Sequence, residues 1–247
     1  MGKLFVNDKD LVVPGEVIAE GMDYLPAGGV LREDEKLVAT VVGLVSIDGR
    51  IIKLIPLAGR YVPKKDDVVI GKVVDITYFG WRVDIGWAYE ANLPIKEAVS
   101  EFVERGTDLT QYYNFGDIIM AKILNVSGAK LIDLTMKGPG LKKLTEGRLI
   151  KITPTKVPRV IGKQGSMVNL IKEKTSCKIL VGQNGVVWIA GPTAEKEKLA
   201  VDAIRIVEAE AQTEGLTEKI AAFLDKELKK LEGKSQNQED QEKKNQE

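Results

Sequence analysis

Up to about residue 140 the apolar side chains come in short, β-branched runs, each cut by Gly, Pro, Asp or Asn. From about residue 148 the spacing lengthens to that of helices. That single change of period limits what the chain can form: β modules first, then a mixed α+β module. With 247 residues there is room for two domains, or three small ones.

Residues 1–65 read as a small β-rich domain. Val12-Val13-Pro14-Gly15 is a turn, and residues 37–45 form one strongly branched run. Asp48-Gly49 then signals a hairpin that returns residues 50–55. In residues 66–147, runs at 68–76, 82–85, 118–124 and 130–135 give four of the strands of a five-stranded OB-type barrel. Tyr78-Phe79-Gly80-Trp81 makes its first turn, and residues 97–103 carry a helical insertion.

Residues 148–232 form the third domain, of which 148–210 follow the order β-α-α-β-β-α. Thr193 is the N-cap of a long helix with Leu199, Ala203, Ile206 and Val207 along one face. A further amphipathic helix spans about 217–231. Residues 233–247 hold no apolar side chain and read as a disordered tail.

Composition removes whole classes of chemistry. There is no histidine, so no His-based triad, general base or imidazole ligand. The single cysteine, Cys177, allows neither an intrachain disulfide nor a Cys-rich zinc site, and the default is a reducing, cytoplasmic location. No run approaches a membrane span, and the acidic start is unlike a signal peptide. No spaced acidic set suits a two-metal nuclease, and no metal, cofactor or catalytic residue is expected.

The net charge of zero conceals an uneven distribution. Residues 148–192 carry 8 basic side chains and 1 acidic, whereas 66–147 carry 9 and 12. A local basic field attracts polyanions even on a neutral protein. Inside that block lies Gly162-Lys163-Gln164-Gly165, set between two helical segments. Two glycines let a backbone approach a sugar-phosphate chain, and the helix opening at Ser166 aims its free amides at the same anion. Lys156 and Arg159 precede it closely. A second match, Gly182-Gln183-Asn184-Gly185, sits between strands and reads as an ordinary hairpin. In the barrel, Tyr78, Phe79 and Arg82 of Tyr78-Phe79-Gly80-Trp81-Arg82 are candidates for stacking on bases, while at least one of the three rings in that stretch is core. Trp188 also reads as core.

Gly71-Lys72-Val73-Val74-Asp75-Ile76-Thr77-Tyr78-Phe79-Gly80-Trp81-Arg82-Val83-Asp84-Ile85 resembles the start of an S1 domain. Ile161-Gly162-Lys163-Gln164-Gly165-Ser166 resembles the loop of a type I KH domain. With Val13-Pro14-Gly15 and Arg60-Tyr61-Val62-Pro63, this order is similar to the archaeal exosome RNA-binding cap subunits, over residues 10–230. The resemblance implies a non-catalytic adaptor that recruits single-stranded RNA and guides its 3′ end to a phosphorolytic ring for 3′–5′ degradation. It implies three copies on a ring of RNase-PH-like subunits, docked by the N-terminal domain. Arg82 stands where such barrels carry a second aromatic, and Asn92-Leu93-Pro94 where many carry a histidine. Electrostatic guidance by Lys72, Arg82 and Lys122 is therefore the barrel's expected contribution. A competing reading is a transcription elongation or antitermination factor with S1 and KH domains, which would bring two KH modules. A polynucleotide phosphorylase fragment would place KH before S1, the reverse of the order here.

Overall fold

Short branched runs separated by turn residues can bury apolar surface only by stacking sheets, and the first sixty residues do so. The computed structural model describes residues 2–104, 106–211, 213 and 215–244, with side chains up to residue 231. It divides into two compact units, Met1–Arg60 and Tyr61–Glu247.

In the first unit, β1 (Lys3–Leu4), β3 (Val17–Glu20), β5 (Val30–Glu33) and β6 (Lys36–Ala39) form one sheet in the order β1-β3-β6-β5. A second sheet holds β2 (Leu11–Val12), β4 (Leu25–Pro26), β7 (Gly43–Asp48) and β8 (Ile51–Pro56) in the order β2-β7-β8-β4. Ile18, Leu37, Val45 and Ile52 are fully buried between them. The run 37–45, read as one strand, is two. The chain leaves the first sheet at Thr40, whose Oγ1 donates to the Gly29 carbonyl at 2.8 Å, and joins the second at Gly43. A Cβ on Gly43 would lie 2.6 Å from the Ile55 carbonyl oxygen, so only glycine lets the strands close there. The 48–49 hairpin forms as expected, with Asp48 opposite Ile51.

The second unit opens with the barrel. Its strands are β9 (Val68–Thr77), β10 (Gly80–Asp84), β11 (Ala91–Pro94), β12 (Ile118–Val126) and β13 (Ile132–Thr135), with β14 (Lys142–Leu144) added outside β12. The order β13-β11-β10-β9-β12 closes because β12 also pairs with β13. Val69, Val73, Trp81, Leu93, Ile119 and Leu134 fill the interior. The inserted helix lies two residues earlier than its expected start. α1 (Ile95–Ala98) ends where Val99 turns to extended backbone, and a 3₁₀ turn follows at Leu109–Gln111.

The remaining elements are β15 (Arg148–Lys151), α2 (Val157–Ile161), α3 (Ser166–Thr175), β16 (Lys178–Val181), β17 (Val186–Ala190), α4 (Ala194–Ala209) and α5 (Leu216–Lys244). The antiparallel sheet runs β15-β17-β16, and its helices cover one face through Val160, Met167, Ile171, Val187, Ile189 and Ala203. Thr193 caps α4, its side chain accepting from the Lys196 amide at 3.3 Å. On that helix Ile204 takes the core position and Ile206 is only half-buried. In α5, Ile220 and Leu224 are buried against the same core. The expectation of disorder over 233–247 falls on residues whose side chains, and for 245–247 whose backbone, lie outside the described residues. Among the described residues no helix is long and apolar enough to cross a membrane.

The helix-free face of this α+β sheet lies on the barrel. Leu180, Val186, Trp188 and Ala190 pack against Ile70, Ile118, Met120 and Leu144. Polar atoms lock the contact. Beyond the end of β10 the backbone of Ile70 has no strand neighbour on that side, and the side chain of Asn184 takes the place of one. Its Nδ2 donates to the carbonyls of Ile70 (2.8 Å) and Ile85 (2.9 Å), while its Oδ1 accepts from the Ile70 amide (3.3 Å). The Gln183 amide adds a bond to the Val68 carbonyl at 2.8 Å.

Candidate nucleic-acid interface

A helix that starts without a capping side chain leaves its first amides open to an anion. α3 is such a helix. Its N-cap is Gly165, at φ +81°, and no side chain among the described residues accepts from its first turn. The chain reaches it through Gly162 (φ +77°), Lys163 and Gln164 (φ +52°). A Cβ on Gly162 would sit 2.7 Å from the Met167 amide nitrogen, because the loop folds back over the start of α3. Glycine is therefore required at 162 by contact as well as by dihedral.

This geometry turns the middle of the loop outward. Lys163, Gln164 and Ser166 are exposed, and Gly162 and Gly165 are half-buried. Lys163 has no ion-pair partner among the described residues. Lys156 is half-buried at the end of the 3₁₀ turn Pro154–Lys156. Arg159 is exposed on α2, but its Nη2 donates to the Thr213 carbonyl at 2.8 Å, which steers it toward the α4–α5 connection. The exposed loop, the uncapped helix and the cation together give the open amides and positive charge that an anion such as phosphate requires.

Glu208 of α4 steadies the approach to that loop. It accepts from both the amide (2.7 Å) and the hydroxyl (2.9 Å) of Thr153, the residue before the 3₁₀ turn. Partial burial alone would raise its pKa. The Thr153 bonds and the Arg205 guanidinium overcome that and hold it below the ordinary glutamate value.

The barrel presents a second surface. The hairpin between β9 and β10 places Tyr78 (65% exposed) and Phe79 (78% exposed) at its tip, edge to face at 5.2 Å. Trp81, at 1% exposure, is the ring that goes to the core, its Nε1 donating to the Tyr113 carbonyl at 2.8 Å. Behind Phe79 lies a groove of about 370 Å³ bounded by Arg82, Asn92, Pro94 and Asp133. The register explains the grouping: Arg82 lies opposite Asn92, and Asn92 opposite Asp133. Asn92 and Asp133 become groove residues only through that cross-strand pairing, whose trace in the sequence is the alternation of β11 and β13. Arg82 also pairs with Glu90 at 3.4 Å.

Lys72 and Lys122 do not join this groove. They lie on the β9–β12 pair, whose outer face carries Ile70, Ile118 and Met120 against the α+β sheet. Lys122 is held by Asp66 at 2.6 Å, and this bonded ammonium keeps the Asp66 carboxyl below the usual range. Trp188 is buried, as the sequence suggests, but at the junction with the barrel.

Comparison with known proteins agrees with this order of domains. Residues 9–58 match the exosome RNA-binding protein RRP4 N-terminal domain, 60–125 the RRP4 S1 domain, and 147–206 the KH domain. The exosome complex component Rrp4 of Thermococcus kodakarensis is 45% identical over 234 residues, covering 94% of this chain and 91% of that protein. The Rrp4 of Methanothermobacter thermautotrophicus is 44% identical over 223 residues, covering 90% of this chain and 70% of that protein. The crystal structure of a protein assigned as an exosome complex RNA-binding protein aligns with a TM-score of 0.63 at 37% identity, covering 69% of this chain and 98% of that one. A β-rich N-terminal unit, a closed S1 barrel and a KH domain in this order, with such relatives over most of their length, show that the chain belongs to the Rrp4 family of exosome RNA-binding proteins.

Proposed function

We propose that this protein is a non-catalytic cap of a cytoplasmic, archaeal-type exosome. Three copies sit on a ring of RNase-PH-like subunits, hold single-stranded RNA and pass its 3′ end to the ring for 3′–5′ degradation. The observation that carries the RNA-binding part is loop 162–165: outward-facing, bracketed by glycines at positive φ, and opening an uncapped helix. Lys163 and the α3 amides take the phosphate chain, with Gln164, Ser166 and Lys156 around them, and Arg159 adds charge from its place beside Thr213. On the barrel, Phe79 and Tyr78 offer stacking faces while Arg82 supplies charge beside them. The N-terminal unit docks on the ring. Its exposed Leu11, Val13, Met22, Leu25 and Leu31 are apolar side chains of the kind that a partner surface covers. The elongation-factor alternative needs a second KH module, whereas one KH match and full-length Rrp4 relatives account for this chain.

The test replaces Lys163 and Gln164 by Asp in the full chain and measures binding to single-stranded RNA. We expect a loss of about tenfold, with a shallower dependence on salt. Unchanged affinity would move the site to the barrel. Failure of the full chain to capture RNase-PH-like subunits would remove the cap assignment.

A further inference from the structure

The apolar junction between barrel and KH sheet has a rim, and the rim is cationic. On a strand, residues two apart share a face. Lys72 lies two residues from Ile70 on β9, and Lys142 two from Leu144 on β14. On the KH sheet, Lys178 lies two residues from Leu180, and Lys151 lies directly opposite Val186. Each is thus within about 7 Å, along a strand or across a strand pair, of a side chain packed into the junction. All four are exposed. None has an ion-pair or hydrogen-bond partner for its ammonium among the described residues; Asp84, opposite Lys72, makes no ion pair with it. The neighbouring Lys122 and Lys143 do have partners, Asp66 and Asp117.

Four like charges around one contact oppose the association of the two faces they border. The fold holds them there nonetheless, because Asn184 and the buried cluster around Trp188 fix the two faces together. We infer that this seam is a third RNA-contact surface, across which the phosphate chain passes between the barrel and the KH loop. The inference rests on the RNA-binding reading above and adds the path between its two sites. A flexible polyanion suits this arrangement: its charges are evenly spaced, it needs no shaped cavity, and it relieves the mutual repulsion of the lysines. A strand engaged by Phe79 and Arg82 on the barrel and by loop 162–165 on the KH domain passes from one domain to the other, and this junction is where the two domains meet. The rigid junction keeps the cations at fixed spacing, so binding orders the RNA and not the protein.

The experiment neutralises the four lysines together (Lys72→Gln, Lys142→Gln, Lys151→Gln, Lys178→Gln) in the full chain. Single-stranded RNA long enough to span both domains is titrated over a range of salt. For single strands each lost phosphate contact lowers the slope of log affinity against log salt by about 0.7, so the variant should lose roughly 3 from the slope and bind at least about tenfold more weakly. The same four positions changed to Arg should keep the affinity. Should the neutral variant fail to fold, Lys142→Glu and Lys178→Glu, one on each side of the junction, are read singly. Wild-type protein that binds no RNA overturns both this inference and the RNA-binding reading. Wild-type binding with an unchanged slope in the variants overturns the seam alone. So does a variant that keeps RNA affinity but loses its hold on ring subunits, since an acidic protein surface is then the occupant.

Discussion

Two loops of this protein share the spacing Gly-x-x-Gly and do opposite work. In 162–165 the glycines turn the backbone: Gly162, Gln164 and Gly165 all lie at positive φ, and the residues between face solvent. In 182–185 only Gly185 does so, and the glycines serve packing. A Cβ on Gly182 would sit 2.8 Å from the Ile70 amide nitrogen, and one on Gly185 would sit 2.4 Å from the Ile152 carbonyl oxygen. The polar side chain between them, Asn184, is buried and bonded to the barrel on three counts. Identical spacing therefore says only that backbone comes close to something. What differs is the elements at either end: a helix start, which leaves the middle of the loop in solvent, in one case, and a strand pair, which turns Asn184 into the barrel, in the other.

Breaking the second loop should have the larger effect. Asn184→Asp sets a carboxylate against the carbonyl oxygens of Ile70 and Ile85, which need donors. A buried charge without a partner costs about 3 kcal/mol or more. We expect that loss in chemical denaturation, with proteolysis appearing near the 145–147 connection. Asn184→Ala, which only removes the bonds, should cost about 1–3 kcal/mol. If both variants unfold with the wild type, the lock lies in the apolar cluster alone.

The first loop can be divided more finely. Gly162→Ala meets the Met167 amide at 2.7 Å and must also hold φ at +77°. Gly165→Ala meets Asn169 at 3.4 Å and Val168 at 3.9 Å, ordinary contacts, so its cost is the dihedral alone. We expect about 2–3 kcal/mol for the former and about 1 kcal/mol for the latter, with RNA affinity falling more for Gly162→Ala. Equal losses of stability would mean that the fold-back over α3 relaxes freely.

Much of this was legible in order of residues. The hairpins, the KH order, the Thr193 cap and the burial of Trp188 all follow from local pattern, whereas which ring of Tyr78, Phe79 and Trp81 enters the core does not. The missing parts are long-range. Asn184 meets Ile70 across 114 positions, and its Asn-Gly dipeptide alone is indistinguishable from any hairpin turn. Arg159 is drawn to Thr213 across 54 positions. The run 37–45 carries strand propensity throughout, and only the second sheet explains why it breaks at Thr40-Val41-Val42. In the barrel, Phe79 and Arg82 are visible as a motif, whereas Asn92 and Asp133 reach the same groove by strand pairing. The lysines of the seam read as scattered surface charge until the two sheets are set face to face.

The smallest effect concerns the foundation of the first loop. Glu208 in its charged form accepts two bonds from Thr153 and pairs with Arg205, so folding lowers its pKa. A carboxyl depressed by folding stabilises the native state above its unfolded value, about 4.3, and loses that contribution as pH falls through the lower, folded value. Second-unit stability should therefore decline on acidification below about pH 4.5, and Glu208→Gln should reduce that decline while costing a little stability near neutrality. RNA affinity should fall slightly in the same variant, because Thr153 anchors the turn that leads through α2 into Gly162. The second loop has no titratable partner in its lock, since Asn184 bonds only backbone. A pH dependence that Asn184→Ala abolishes and Glu208→Gln leaves intact would place the acid-sensitive group at the junction instead.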